Sequence, residues 1–123
     1  MREGALLGLD VGGGSVRALA LDVASGRTAL AARSHRHPVA PDTGGFGVDL
    51  DLDGLWRLLG LLVREAVAAL GTSPDAVRGI AVSSTRFATV LLDDAGVPLL
   101  ATPNRDARAG LEAVRLAMDH GPA

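Results

Sequence analysis

Two short apolar runs open the chain, about residues 5–10 and 16–23, and glycines separate them. Runs of that length bounded by glycine predict the strands of a hairpin. Ser25-Gly26 turns the chain into a third predicted strand, about 28–35. From Pro38 to Val48 prolines and glycines replace periodicity, which predicts a loop with little regular structure. The period then changes. Leu52, Leu55, Trp56, Leu59, Leu62, Val63, Ala66, Val67 and Leu70 recur at i, i+3, i+4 and i+7, the stripe of an amphipathic helix. Asp51 or Asp53 can cap its start, and Gly71 suits its end. After Ser73-Pro74, residues 77–83 read as a strand, and 89–93 with 97–100 as a hairpin around Asp94-Ala95-Gly96. Residues 105–120 read as a last helix, with Leu111, Val114 and Met118 facing inward and Gly121-Pro122 ending it. The pattern is of the α/β class.

Composition narrows the function classes. At 123 residues the chain is one domain or part of one, able to bury about two-thirds of its unfolded surface. Hydrophobic residues make up 48% but aromatic residues only 2%, so Leu, Val and Ala fill the interior. A net charge of −2 and so few aromatics argue against a nucleic-acid partner, which calls for a basic stripe or stacking platforms. The absence of cysteine excludes disulfides, thiol catalysis and thiolate metal sites. No apolar segment is long and unbroken enough to span a bilayer, and the first residues lack a signal-peptide layout, so a cytoplasmic location is expected, with no membrane partner.

The chemistry concentrates in the first hairpin. Asp10 ends the first strand, Gly12, Gly13 and Gly14 make the corner, and Ser15 and Arg17 begin the return. Adjacent glycines allow positive φ and remove the side chains that would keep a ligand off the backbone. Amides in such a corner can converge on an anion, as in other phosphate-binding backbone concavities. Asp10 can hold a magnesium ion directly or through water, because that metal binds through one or two carboxylates plus phosphate oxygens. A simple turn is the alternative, as is a solvated strand position for Arg17. A Walker loop is excluded because the chain has no lysine. The dinucleotide fingerprint is excluded because Arg17 stands where its third glycine belongs and a strand follows in place of a helix.

The run Asp-x-Gly-x-x-Ser-x-Arg-Ala from Asp10 to Ala18, between two strands, resembles the first phosphate motif of the sugar kinase, actin and Hsp70 superfamily. A second block strengthens the likeness: Gly79 to Asp93, containing Arg86 and Phe87, then Gly96-Val97-Pro98-Leu99, then Asn104-Arg105-Asp106-Ala107-Arg108-Ala109. Together they resemble the FGGY carbohydrate kinases, and the pattern is closest to the autoinducer-2 kinase, glycerol kinase and xylulokinase branches. The resemblance covers about residues 5–120. It implies a ribonuclease H-like, actin-like ATPase fold, a mixed sheet with flanking helices, of which residues 1–123 are the incomplete N-terminal domain. It implies ATP and Mg2+ as cofactors, a small sugar or polyol as acceptor, and room for a homodimer. The general base and the adenosine-binding second domain are expected outside these residues. The chain alone is therefore expected to be inactive, with an unpaired sheet edge and exposed apolar surface.

By resemblance, Asp10 anchors the metal, the amides of Gly12, Gly13 and Gly14 and the Ser15 hydroxyl hold phosphate oxygens, and Arg17 adds positive charge. The family usually has Thr where this chain has Gly13. Arg86 is the candidate acceptor contact, and Phe87 stands where glycerol and autoinducer-2 kinases carry a Glu. A carboxylate that accepts hydroxyl protons is thus replaced by an apolar ring, which disfavours glycerol as substrate. Asn104 and Asp106 fall where the family places residues near the acceptor; helix capping, or for Asp106 an ion pair with Arg108, is the alternative. Two further readings stay open: another ATPase branch of the superfamily, and a non-catalytic interaction module.

Other constellations are weaker. Asp49-x-Asp51-x-Asp53-Gly54 matches the first half of a calcium loop, but Gly60 occupies the twelfth position, where a bidentate Glu is required. These acids read as loop and cap. His35 and His37 share one strand face and read as a solvated strand end, since no metal-ligand spacing accompanies them.

Overall fold

Ala5 and Leu7 alternate with Leu6 and Gly8 to give β1 (Ala5–Val11), and Val16, Ala18 and Ala20 alternate with Arg17 and Leu19 to give β2 (Ser15–Asp22). The computed structural model describes residues 4–121. They group into two compact units, residues 4–36 with 51–86 and residues 37–50 with 87–121.

In the first unit, β3 (Thr28–Ser34) and β4 (Val77–Ser84) complete a sheet of order β3-β2-β1-β4. β1, β2 and β3 pair antiparallel, whereas β4 runs parallel to β1, so the sheet is mixed as expected. Asp22 turns β2 into β3 by accepting hydrogen bonds from the Ala24 and Ser25 amides, which hold its carboxyl below its ordinary pKa. Helix α1 (Leu52–Leu70) covers one face. Its buried residues Leu62, Ala66, Val67 and Leu70 pack on Ala5, Leu7, Val16, Ala18, Ala20 and Ala31, where alanines allow the helix to approach closely. Asp51 caps α1 by accepting from the Gly54 amide at 2.8 Å. Gly71 ends it in the left-handed region at φ 76°, with its own amide on Ala68 and the Thr72 amide on Val67. That paired closure is a Schellman ending, which glycine adopts without a Cβ clash.

Along the strands the face opposite α1 carries Gly8, Asp10, Arg17 and Leu19, and it is uncovered among the described residues. A hollow of about 570 Å³ lies there, with Leu19, Leu30 and Ala81 along it and Asp10, Arg17 and Ser83 at its polar end. Among the described residues β4 pairs with β1 alone and exposes Ile80 and Val82, the open edge and apolar surface that were anticipated. Trp56 departs from the predicted stripe. It is 78% exposed, whereas Leu55, Leu58 and Leu59 around it pack against the core.

The second unit contains β5 (Thr89–Leu92) and β6 (Pro98–Thr102), an antiparallel hairpin turned by Asp93, whose carboxylate accepts from the Ala95 and Val97 amides. The 38–48 segment is more ordered than its composition predicts. Val39 bridges Val48, the Leu50 amide donates to Ala101, and the Thr43 hydroxyl closes a turn onto Ala40. The last helix also differs. α2 spans Gly110–His120, so residues 105–109 are turns rather than its first coils. The cause is non-local: the Ala107 amide donates to Phe46 and the Asp106 carboxylate accepts from Val48, which commits these groups to the 37–50 loop. Leu111, Val114 and Met118, expected inward, are exposed.

Candidate functional site

The corner between β1 and β2 is four residues long, Gly12 to Ser15, because Val11 and Val16 are the last opposed pair. The Gly12 amide donates to the Ser15 carbonyl at 2.9 Å, so it is spent inside the turn. Among the described residues, neither the Gly13 nor the Gly14 amide donates to a protein acceptor. None of the three glycines takes a positive φ. The turn is wide enough to close without the left-handed region, so the expected use of positive φ is not made. What these glycines contribute is the missing side chain. A Cβ on Gly14 would meet nothing within 4 Å, and one on Gly12 would lie 3.1 Å from the Ser15 carbonyl.

Asp10 and Arg17 are opposite residues on the hairpin, and Arg17 Nη1 donates to Asp10 Oδ2 at 2.8 Å. Their side chains are 43% and 53% exposed, so water screens the pair and either partner can exchange it at small cost. On the other side of β1, Asp10 is registered with Ser83, and β1 and β4 end together at Val11 and Ser84. Both the amide and the hydroxyl of Thr85 donate to the Val11 carbonyl, at 2.9 and 3.2 Å. Arg86 follows directly and is exposed at this end of the sheet. Ligands of open α/β sheets gather beyond the carboxyl ends of the strands, the end of the sheet at which Asp10, the glycine corner and Arg86 all lie.

A magnesium nucleotide fits this chemistry. Asp10 offers one accessible carboxylate, and among the described residues no group of three or more His, Asp or Glu side chains makes a self-sufficient metal site. A metal here needs phosphate oxygens to complete its sphere, which is how magnesium is ordinarily held. The calcium-like acids have other tasks. Asp49 pairs with Arg108, and Asp51 caps α1.

The remaining candidates lie in the second unit. Phe87 is 85% exposed and holds φ at 58°, an uncommon conformation for a bulky side chain. Asn104 is exposed, and its side chain makes no hydrogen bond among the described residues. Asp106 is largely covered and engaged: its carboxylate accepts from the Val48 amide at 2.8 Å and from Arg108 Nε at 2.7 Å. Arg108 also donates to the Val48 carbonyl and pairs with Asp49, so it clamps the 37–50 loop to the turn after β6. The pattern had marked Arg108 only as a partner for Asp106. His35 was also underestimated. Its Nε2 lies 2.9 Å from the Gly12 carbonyl, and its amide donates to Gly14 at 3.1 Å. The only signal for that contact is the register that carries β3 past the corner.

Burial pulls the Asp106 carboxyl upward, but Arg108 and the Val48 amide outweigh it and hold it below its ordinary value. A carboxyl lowered on folding stabilises the folded state above its unfolded value, about 3.9. That contribution disappears as pH falls through the lower folded value. The Val48 amide resonance is therefore expected to move only at pH values below the ordinary aspartate range. Asp106→Asn is expected to abolish that acid step; an unchanged step in the variant assigns the titration to another group.

The mixed sheet with its glycine corner is the architecture of the actin-like ATPases. The profile of the FGGY family of carbohydrate kinases, N-terminal domain, matches residues 5–112, and the chain belongs to that family. The autoinducer-2 kinase of Escherichia coli (strain K12) is 33% identical over 111 residues, covering 90% of this chain and 21% of that protein. That of Yersinia pseudotuberculosis serotype O:3 (strain YPIII) is 35% identical over the same length. The crystal structure of xylulose kinase from Rhodospirillum rubrum matches with a TM-score of 0.66 and 25% identity, over 94% of this chain and 23% of that one. The chain thus spans about a fifth of the length of the curated relatives it matches.

Proposed function

We propose that these residues form the phosphate-gripping corner and part of the acceptor site of an ATP-dependent carbohydrate kinase, which transfers the γ-phosphoryl group of ATP to a sugar or polyol hydroxyl. One observation carries the reading: among the described residues the Gly13 and Gly14 amides donate to no protein acceptor, and they lie beside a half-exposed aspartate at the carboxyl end of the central strands. When bound, magnesium-ATP supplies the transferable group and the metal charge that neutralises it. The chain's own part is to position. Asp10 holds the metal, directly or through water, and gives up Arg17 to do so. Gly13 and Gly14 donate their amides to phosphate oxygens, with Ser15 contributing its hydroxyl. Arg17, released, adds positive charge beside the phosphates. Gly12 acts indirectly, since its amide closes the turn.

Arg86 donates to an acceptor hydroxyl; Asn104, in the second unit, is a separate candidate by the family resemblance alone. Phe87 supplies an apolar contact, which selects against acceptors that need a carboxylate there. Asp106 supports the acceptor side by holding the turn in place. The enzyme works in the cytoplasm on small molecules, with no nucleic-acid or membrane partner, and homodimerisation is compatible with this reading. Among the described residues no helix is long and apolar enough to cross a membrane.

The test is a kinetic comparison, in a full-length kinase that contains these residues, on the most active acceptor from a panel of sugars and polyols that includes xylulose, gluconate and glycerol. Arg86→Ala is expected to raise the acceptor KM about tenfold or more, the scale of a lost charged hydrogen bond, with a smaller change in the KM for ATP. The reverse pattern moves the acceptor site away from Arg86.

A further inference from the structure

His35 lies outside the motif that names the phosphate corner, yet it touches that corner twice. Its Nε2 faces the Gly12 carbonyl at 2.9 Å, and its backbone amide donates to the Gly14 carbonyl at 3.1 Å. A carbonyl is an acceptor, so the ring nitrogen opposite it is the donor. The two carbonyls flank Gly13, and β3 holds them from one side.

Peptide planarity gives this contact a consequence. The Gly12 carbonyl and the Gly13 N–H belong to one trans peptide unit and point in opposite directions. A donor that draws the Gly12 oxygen toward β3 turns the Gly13 N–H away from β3. The same holds for the Gly14 carbonyl and the Ser15 N–H. Glycine peptides otherwise rotate with little resistance, because no Cβ limits them. A Cβ built on Gly14 would meet no heavy atom within 4 Å.

We infer that His35 is a positioning residue that presets the Gly13 peptide with its N–H directed outward, ready for a nucleotide's phosphate tail. The inference rests on the proposed kinase reading. His35 touches no reacting group; it removes the need to reorient a glycine peptide when phosphate arrives, which is how preorganised donors gain affinity.

Two substitutions separate the donor from the ring. His35→Phe keeps the ring volume and loses the N–H, and His35→Gln keeps an amide donor near the place of Nε2. Magnesium-ATP binding is measured by titration calorimetry, alongside KM and kcat, in a full-length kinase that contains these residues. His35→Phe is expected to weaken nucleotide binding and raise the KM for ATP about five- to tenfold, with the acceptor KM unchanged. His35→Gln is expected to recover most of that loss. If His35→Phe does not fold, His35→Asn, whose amide stops short of the carbonyl, replaces it. Wild-type affinity in the donor-less variant overturns the inference and leaves the kinase reading intact. Equal loss in His35→Gln and His35→Phe also overturns it, by assigning the effect to the ring. Absence of nucleotide binding by a full-length kinase that contains these residues overturns both.

Discussion

In a full-length kinase that contains these residues, Asp10→Ala is expected to lower magnesium-dependent turnover at least a hundredfold while leaving the fold nearly unchanged. The loss follows from the work assigned to that carboxylate. Phosphoryl transfer depends on placing oxygens in line and neutralising charge, and removal of one preorganised electrostatic partner costs about 10²–10³ in kcat. The stability cost is small for a separate reason. Asp10 is half exposed, and its bond to Arg17 is a screened surface pair, worth about 0–1 kcal/mol. Arg17 left alone remains solvated at the rim of the hollow. The check is a pair of measurements on one preparation, turnover against magnesium concentration and a denaturant unfolding curve. Equal turnover in the variant removes Asp10 from the mechanism.

Leu62→Ala is expected to have the opposite profile, a large loss of stability through a residue remote from the corner. Leu62 is fully buried where α1 meets the sheet, within the cluster that includes Val16, Ala18 and Ala20. Truncating a buried leucine removes its transfer free energy and leaves a cavity, at about 2–5 kcal/mol. The alanines opposite cannot fill the space, because they have no rotamers to change. Domains have about 5–15 kcal/mol in total, so this single change takes a large share. Trp56→Ala, on the same helix but exposed, is expected to stay within about 0.5 kcal/mol. Urea midpoints of the two variants decide the matter; similar midpoints contradict the packing described here.

The first hairpin, α1 and its caps were legible because their determinants are local. Alternation from Ala5 to Asp22, the leucine stripe to Leu70, Asp51 before the helix and Gly71 after it each act within a few residues. The start of α2 was not legible, because Asp106 and Ala107 are claimed by Val48 and Phe46, about sixty residues earlier. The exposure of Leu111, Val114 and Met118 has no local sign either, since helical period alone does not say whether a partner is present.

The candidate site divides the same way. Asp10, the glycines, Ser15 and Arg17 are neighbours in sequence, and the hairpin keeps them together. Which amides stay unspent was hidden, because it depends on the Ser15 carbonyl capturing Gly12. His35 was hidden as well, since only the register of β3 against β2 carries it to the corner.

The most direct test is a crystal structure of a full-length kinase that contains these residues, with a non-hydrolysable ATP analogue and Mn2+ in place of Mg2+, the metal located by its anomalous signal. The predicted result places phosphate oxygens on the Gly13 and Gly14 amides and the metal on Asp10, directly or through one water. Phosphates bound elsewhere, with Asp10 still paired to Arg17 and both amides facing solvent, would contradict it.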